Sequence, residues 1–203
     1  TKKSMIALHN VVKKFDSGAM ALDHINIHIP KQDFVFLVGP SGAGKSTLAK
    51  QIVHWVGNAM HIELDDFYQP YQATKDSRLS PKEMCFRLFD WKRLRNDLLI
   101  PIARGHTAIY QRYGWVENRL LDHVEIPVTP VIVVEGVFSM LPSLRSFYDL
   151  KIYIDTPKIH RLNRINARGY LNRGWMDLWM GSDLVVLAQK VDEWLWGVIN
   201  LLL

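Results

Sequence analysis

Apolar residues in this chain fall into short unbroken runs separated by stretches of helical period. Phe34-Val35-Phe36-Leu37-Val38 is continuous, as expected of a central strand buried on both faces. Val131-Ile132-Val133-Val134 and Leu150-Lys151-Ile152-Tyr153-Ile154 read the same way, and residues 59–64 form a further strand ending at Asp65-Asp66. Between them, Leu48, Ile52, Trp55 and Val56 recur at helical spacing, as do Trp91, Leu94, Leu98 and Ile102 in a helix of residues 90–104 stopped near Gly105. Another helix comes after Pro157. Such alternation predicts a parallel sheet covered by helices on both faces. The first thirty residues differ. In 24–29 isoleucines alternate with polar residues, which suits a half-buried antiparallel strand, with residues 4–9 as a second strand and Asp16-Ser17-Gly18 as a turn. Residues 66–88 read as loop plus short helix, Tyr110, Tyr113 and Trp115 lie in a stretch without clear period, and the apolar tail from Trp194 packs on the body or on a partner.

The first of these runs leads directly into a glycine-rich loop. Gly39-Pro40-Ser41-Gly42-Ala43-Gly44-Lys45-Ser46-Thr47 fits G-x-x-x-x-G-K-[ST] between a strand and a helix. Glycines let the backbone curl so that successive N–H groups point at phosphate oxygens, and the next helix adds its positive end. Lys45 would reach the β- and γ-phosphates of ATP, and Ser46 would offer its hydroxyl to Mg²⁺. In an open α/β sheet ligands sit beyond the carboxyl ends of the strands. Asp65 and Asp66 come after one such strand and Glu135 ends another, so Asp65 is a candidate general base and Glu135 a candidate Mg²⁺ ligand, directly or through water. Asp90 is placed to cap the helix of residues 90–104. Arg161, Arg164 and Arg168 recur at i, i+3 and i+7 on one helix face, either as a solvated surface or as a lid of about residues 161–180 that neutralises a transferred phosphoryl group.

Composition narrows the class. The 203 residues fit one domain, and 48% apolar content provides a core. A lone Cys85 excludes an internal disulfide. The net charge of +5 comes with no basic run interleaved with aromatics, so a polyanionic small ligand fits better than nucleic acid. No apolar run approaches the ~20 residues that span a bilayer. A leader pattern is missing from Thr1-Lys2-Lys3-Ser4, so the cytoplasm is expected, and a homo-oligomer stays open.

From about residue 53 to 170 the chain resembles the uridine kinase family of P-loop nucleoside kinases. The carrying pieces are His61-Ile62-Glu63-Leu64-Asp65-Asp66-Phe67-Tyr68, Phe89-Asp90-Trp91, Tyr113-Gly114-Trp115, Val133-Val134-Glu135-Gly136 and Arg161-Leu162-Asn163-Arg164. The resemblance implies an α/β P-loop NTPase three-layer sandwich with a mainly parallel sheet and a small helical lid, to which the N-terminal antiparallel strands read above are an addition. It also implies transfer of the γ-phosphoryl of ATP to the 5′-hydroxyl of uridine or cytidine. Asp65 would then be the base, with Lys45 and Arg164 as catalytic partners. Asp90 would hold the ribose hydroxyls, and Tyr68, Tyr113 and Trp115 would frame the pyrimidine. Arg161 would meet the nucleotide, and Arg168 the substrate. Residues 5 to 50 instead are similar to ABC-type ATPases of the cell-division kind, through Met5–Val11, Ala21–Ile25 and Phe34–Leu48; there an aromatic near Phe15 stacks on adenine. The signature Leu-Ser-Gly-Gly-Gln of that family is missing, and the join near residues 47–56 implies a chimera. The alternatives to a nucleoside kinase are therefore an ABC-type ATP-binding subunit and a chimeric nucleotide-binding protein with little catalysis.

Overall fold

The computed structural model describes residues 4–14, 20–30, 33–70, 83, 87–138, 141, 143–167 and 197–200. Its centre is a sheet of five parallel strands among the described residues. These are β3 (Asp33–Val38), β4 (Ala59–Glu63), β7 (Val131–Gly136), β8 (Leu150–Asp155) and β9 (Gly197–Asn200), in the order β4-β7-β3-β8-β9. β3 explains the three layers. Its side chains alternate across the sheet, so Val35 and Leu37 pack with Leu48, Ala49 and Ile52 of helix α1 (Lys45–Val56) on one face. Phe34, Phe36 and Val38 join Leu94, Leu98, Leu99 and Ile102 on the other, from the helix α2 that runs over 91–103. β7 repeats the division, with Val131 and Val133 toward α1 and Ile132 and Val134 toward α2.

Two further antiparallel pairs flank this body. β1 (Ser4–Lys14) pairs with β2 (Met20–Pro30), both longer than the strands expected at 4–9 and 24–29. β5 (Ala108–Gly114) pairs with β6 (Arg119–Ile126), where the sequence shows no period. The reason is a register shift between Gln111 and Tyr113. That bulge interrupts alternation, leaving Tyr110 and Tyr113 both buried although three residues apart. Helix α2 also departs from expectation, because Leu94–Leu99 winds as a π-helix. Trp55 faces out at 40% exposure, whereas Leu48 and Ile52 are fully buried. Part of the apolar tail packs on the body as β9, beside β8. Phe15, Arg168 and the rest of the expected lid to residue 180 lie outside the described residues. No helix among the described residues is long and apolar enough to cross a membrane.

Leu98 is fully buried between α2 and the sheet. Leu98→Ala should lower the free energy of unfolding by about 2–5 kcal/mol, read from urea denaturation at constant m-value.

Candidate active site

Parallel pairing brings the candidate residues to one edge. Val38 is level with Gly136 of β7 and with Tyr153 of β8, while Glu63 is level with Glu135. The carboxyl ends of four strands therefore open on the same side. They deliver the glycine loop after β3, Asp65 after β4, Glu135 at the end of β7 and Thr156 after β8.

The loop from Gly39 to Gly44 enters α1 with left-handed backbone at Gly44 (φ 101°) and Gly42 (φ 77°). At Gly42 a Cβ would also stand 2.8 Å from the Arg161 carbonyl oxygen, so glycine is required there twice over. The N-terminus of α1 carries no side-chain cap and no acidic residue in its first turn, which leaves its amide end suited to an anion.

The loop carbonyls from Pro40 to Ala43 all have donors. Lys45 Nζ and the Ala43 N–H donate to Pro40 O at 3.1 and 3.2 Å. Arg161 donates to Ser41 O at 3.5 Å, Arg164 to Gly42 O at 3.0 Å, and Thr156 Oγ1 to Ala43 O at 2.9 Å. The arginines come from helix α3 (Lys158–Ala167). Arg161 is only 6% exposed and also donates to Thr156 O at 3.1 Å. Of the two readings of the arginine face, the solvated one is thus corrected for Arg161. It is buried on the same face as Ile165, four residues on, and holds the loop.

Ser46 Oγ donates to Glu135 Oε1 at 2.5 Å. Burial pushes the Glu135 carboxyl up, but His61, Lys45 and the Ser46 hydroxyl together hold it below the ordinary value. A charged carboxylate beside a hydroxyl is a donor set of hard oxygens and fits Mg²⁺. Asp65 responds oppositely. It is pushed up to about 7, first by desolvation and then by the negative charge of Glu135, with Lys45 pulling the other way. The residue is solvent-accessible within the open edge, so water weakens the first cause while the nearby carboxylates act regardless.

Of the neighbouring pair, Asp66 is engaged elsewhere. Tyr110 OH donates to its Oδ2 at 2.9 Å, and burial raises its carboxyl. Its carbonyl accepts from Arg93 at 3.1 Å. Arg93 does not stand out in the sequence, yet its guanidinium donates to Tyr68 O at 2.7 Å and to Gln111 O, and lies 5.2 Å from the Phe67 ring centroid. Asp90 caps α2 by accepting from the Arg93 N–H at 3.0 Å, and its second oxygen stands 3.5 Å from Arg93 Nε. The spacing i, i+3 from Asp90 is the available signal for Arg93. Thr156 is signalled by its place after a strand run, before Pro157.

The aromatic residues singled out in the sequence meet in space. Tyr68 and Trp115 rings are 4.7 Å apart, Tyr113 and Trp115 5.2 Å, and Tyr68 and Tyr113 6.4 Å. Tyr113 OH donates to Asn118 Oδ1 at 2.8 Å, tying the strand to the hairpin turn. Tyr68 and Tyr113 are buried while Trp115 is 36% exposed, so the cluster shows one indole to solvent.

Comparison with known proteins places the chain in a family. Residues 34–182 match the family model described as Phosphoribulokinase / Uridine kinase family. A uridine kinase of Clostridium perfringens strain 13 is 30% identical over 151 residues, covering 70% of this chain and 70% of that protein. One of Schizosaccharomyces pombe is 32% identical over 152 residues, 68% of this chain and 33% of the relative. In fold, the chain is similar to a possible uridine kinase from Bacillus stearothermophilus (TM-score 0.60, 19% identity, 80% of this chain and 84% of the other). It is also similar to D-glycerate 3-kinase from Cryptococcus neoformans (TM-score 0.57, 13% identity, 85% and 87%). With a glycine loop, flanking carboxylates and a match over this span, the chain belongs to the phosphoribulokinase and uridine kinase family of P-loop kinases.

Proposed function

We propose that this chain is an ATP-dependent nucleoside kinase that phosphorylates the 5′-hydroxyl of a pyrimidine nucleoside. The observation that carries the reading is the single edge on which the amide-lined loop, Lys45, Asp65 and Glu135 converge. Relatives named uridine kinase supply the substrate class.

The loop amides from Ser41 to Thr47 would hold the phosphates of ATP. Lys45 would turn from Pro40 O to the β- and γ-phosphates; Pro40 O then keeps the Ala43 N–H. Ser46 and Glu135 would hold Mg²⁺, which neutralises charge on the phosphates when bound. Asp65 would take the proton of the attacking hydroxyl, a role suited to a carboxyl raised toward neutrality. Asp90, fixed by Arg93, would accept from the ribose hydroxyls. Trp115, backed by Tyr68 and Tyr113, would stack on the base. Arg164, half-buried beside Gly42, would serve the transferred phosphoryl group, and Arg161 would keep the loop in shape. The domain reading, one P-loop unit over residues 1–203 working in the cytoplasm, belongs to the same proposal.

A second reading attaches to residues 4–30. Their antiparallel pair precedes residue 34, where the family match begins, so it is an addition to the matched kinase region, and its reading as an ABC-type segment rests on the sequence alone. Under that reading the chain hydrolyses ATP without regard to any nucleoside.

A screen of nucleosides with ATP, including a no-acceptor control, separates the two. Phosphate transfer confined to pyrimidine nucleosides is expected; hydrolysis indifferent to the acceptor would favour the ABC-type reading. Lys45→Ala should abolish turnover and weaken ATP binding in calorimetry. Asp65→Asn should lower kcat by roughly 10²–10⁴-fold. In protein free of nucleotide and metal, the same substitution should raise stability in a pH-dependent way. Folding raises the Asp65 pKa from 3.8 toward 7, through the nearby carboxylates and whatever desolvation water leaves, so stability of the parent falls as pH rises through that window. The advantage of the Asn variant in Tm should therefore grow from pH 4 to 7 and level off above. An advantage that is the same at pH 4.5 and pH 8 would contradict it.

A further inference from the structure

On the α1 face of the sheet, His61 and Glu63 of β4 point the same way as Glu135 of the adjacent β7, since residues two apart on a strand share a face and Glu63 is level with Glu135. One ligand atom from each of the three lies within 4.8 Å of the others. His61 Nε2 is 3.8 Å from Glu135 Oε1, and Nδ1 is 4.0 Å from Glu63 Oε1. The imidazole is mostly covered, and its Nε2 is buried without a hydrogen-bond partner. A buried ring nitrogen 3.8 Å from a carboxylate is too far for a hydrogen bond, and a cation between the two would satisfy both.

We propose that His61, Glu63 and Glu135 form a site for a borderline transition-metal dication of the Zn²⁺ class, distinct in ligand type from the oxygen set of Ser46 and Glu135. One imidazole and two carboxylates suit Zn²⁺, Co²⁺ or Mn²⁺, whereas Mg²⁺ takes oxygen ligands. Donors at about 2.0–2.2 Å from a tetrahedral ion stand roughly 3.3–3.6 Å apart. The 3.8 Å between His61 and Glu135 is already close to that, and Glu63 closes the third side by a rotamer change. Glu63 is 45% exposed and its other neighbour, Lys50, lies 3.9 Å away and is itself exposed, so this ion pair opposes the movement weakly. Asp65 adds negative charge nearby. Because Glu135 is shared, a bound transition metal draws it from Ser46 and so inhibits phosphoryl transfer. That consequence rests on the kinase reading; the binding does not.

The test is calorimetric titration of ZnCl₂ into the full chain, without an affinity tag and without nucleotide, beside His61→Ala and Glu63→Gln. One equivalent is expected to bind the parent, with the dissociation constant weakened about tenfold or more in each variant. Absence of Zn²⁺ binding in the parent, or equal affinity in Glu63→Gln and the parent, overturns the site. Should His61→Ala fail to fold, the exposed and conservative Glu63→Gln decides alone. Neither result touches the nucleoside screen, and a failed screen leaves this titration standing.

Discussion

A loop that turns its amides inward must turn its carbonyls outward, and here every outward carbonyl from Pro40 to Ala43 meets a donor. Unsatisfied, four such groups would each cost about 1–3 kcal/mol and the curl would open. The donors come from Lys45, from Thr156 after β8 and from the arginines of α3. The phosphate cradle is therefore a joint product of β3 and of segments more than a hundred residues later. Packing enforces the same join, since a side chain at Gly42 would collide with the backbone of Arg161.

Sheet register supplies the second half of the site. Parallel strands ending level place the residues after them together, which is why Glu135 influences the protonation of Asp65, seventy residues away in sequence. Alternation along β7 then decides direction. Val131, Val133 and Glu135 share the α1 face, so Glu135 necessarily meets Ser46 in the first turn of that helix. The same parity sets His61 and Glu63 beside it.

Much of this is legible in the amino-acid sequence. The runs at 34–38, 131–134 and 150–154 announce strands buried on both faces because no polar residue, apart from Lys151, interrupts them. The glycine motif and the carboxylates after strands point to the edge on which the structure gathers them. Whatever stays hidden depends on which side of an element is covered. A spacing of three and four places Arg161 and Arg164 near each other but says nothing of whether that face is solvated. The decision comes from Ile165, which shares the buried side with Arg161. The β5–β6 hairpin is hidden by its own bulge, and the π-helical turn at 94–99 by an extra residue that apolar spacing does not register.

Arg93 shows how the turn after β4 and the β5 strand are made one body. Its guanidinium ties the turn carrying Asp66 and Tyr68 to β5, while Asp90 anchors its own backbone and side chain. Burial lowers its pKa, with Asp90 opposing that pull, so the charge is kept for its partners. Asp65 on that turn and the aromatic cluster at Tyr113 and Trp115 consequently share a support. A nucleoside stacked on the indole would present its sugar at a distance fixed by the same guanidinium. Base recognition and proton removal would then be geometrically coupled, because loosening Arg93 releases both the turn and the strand.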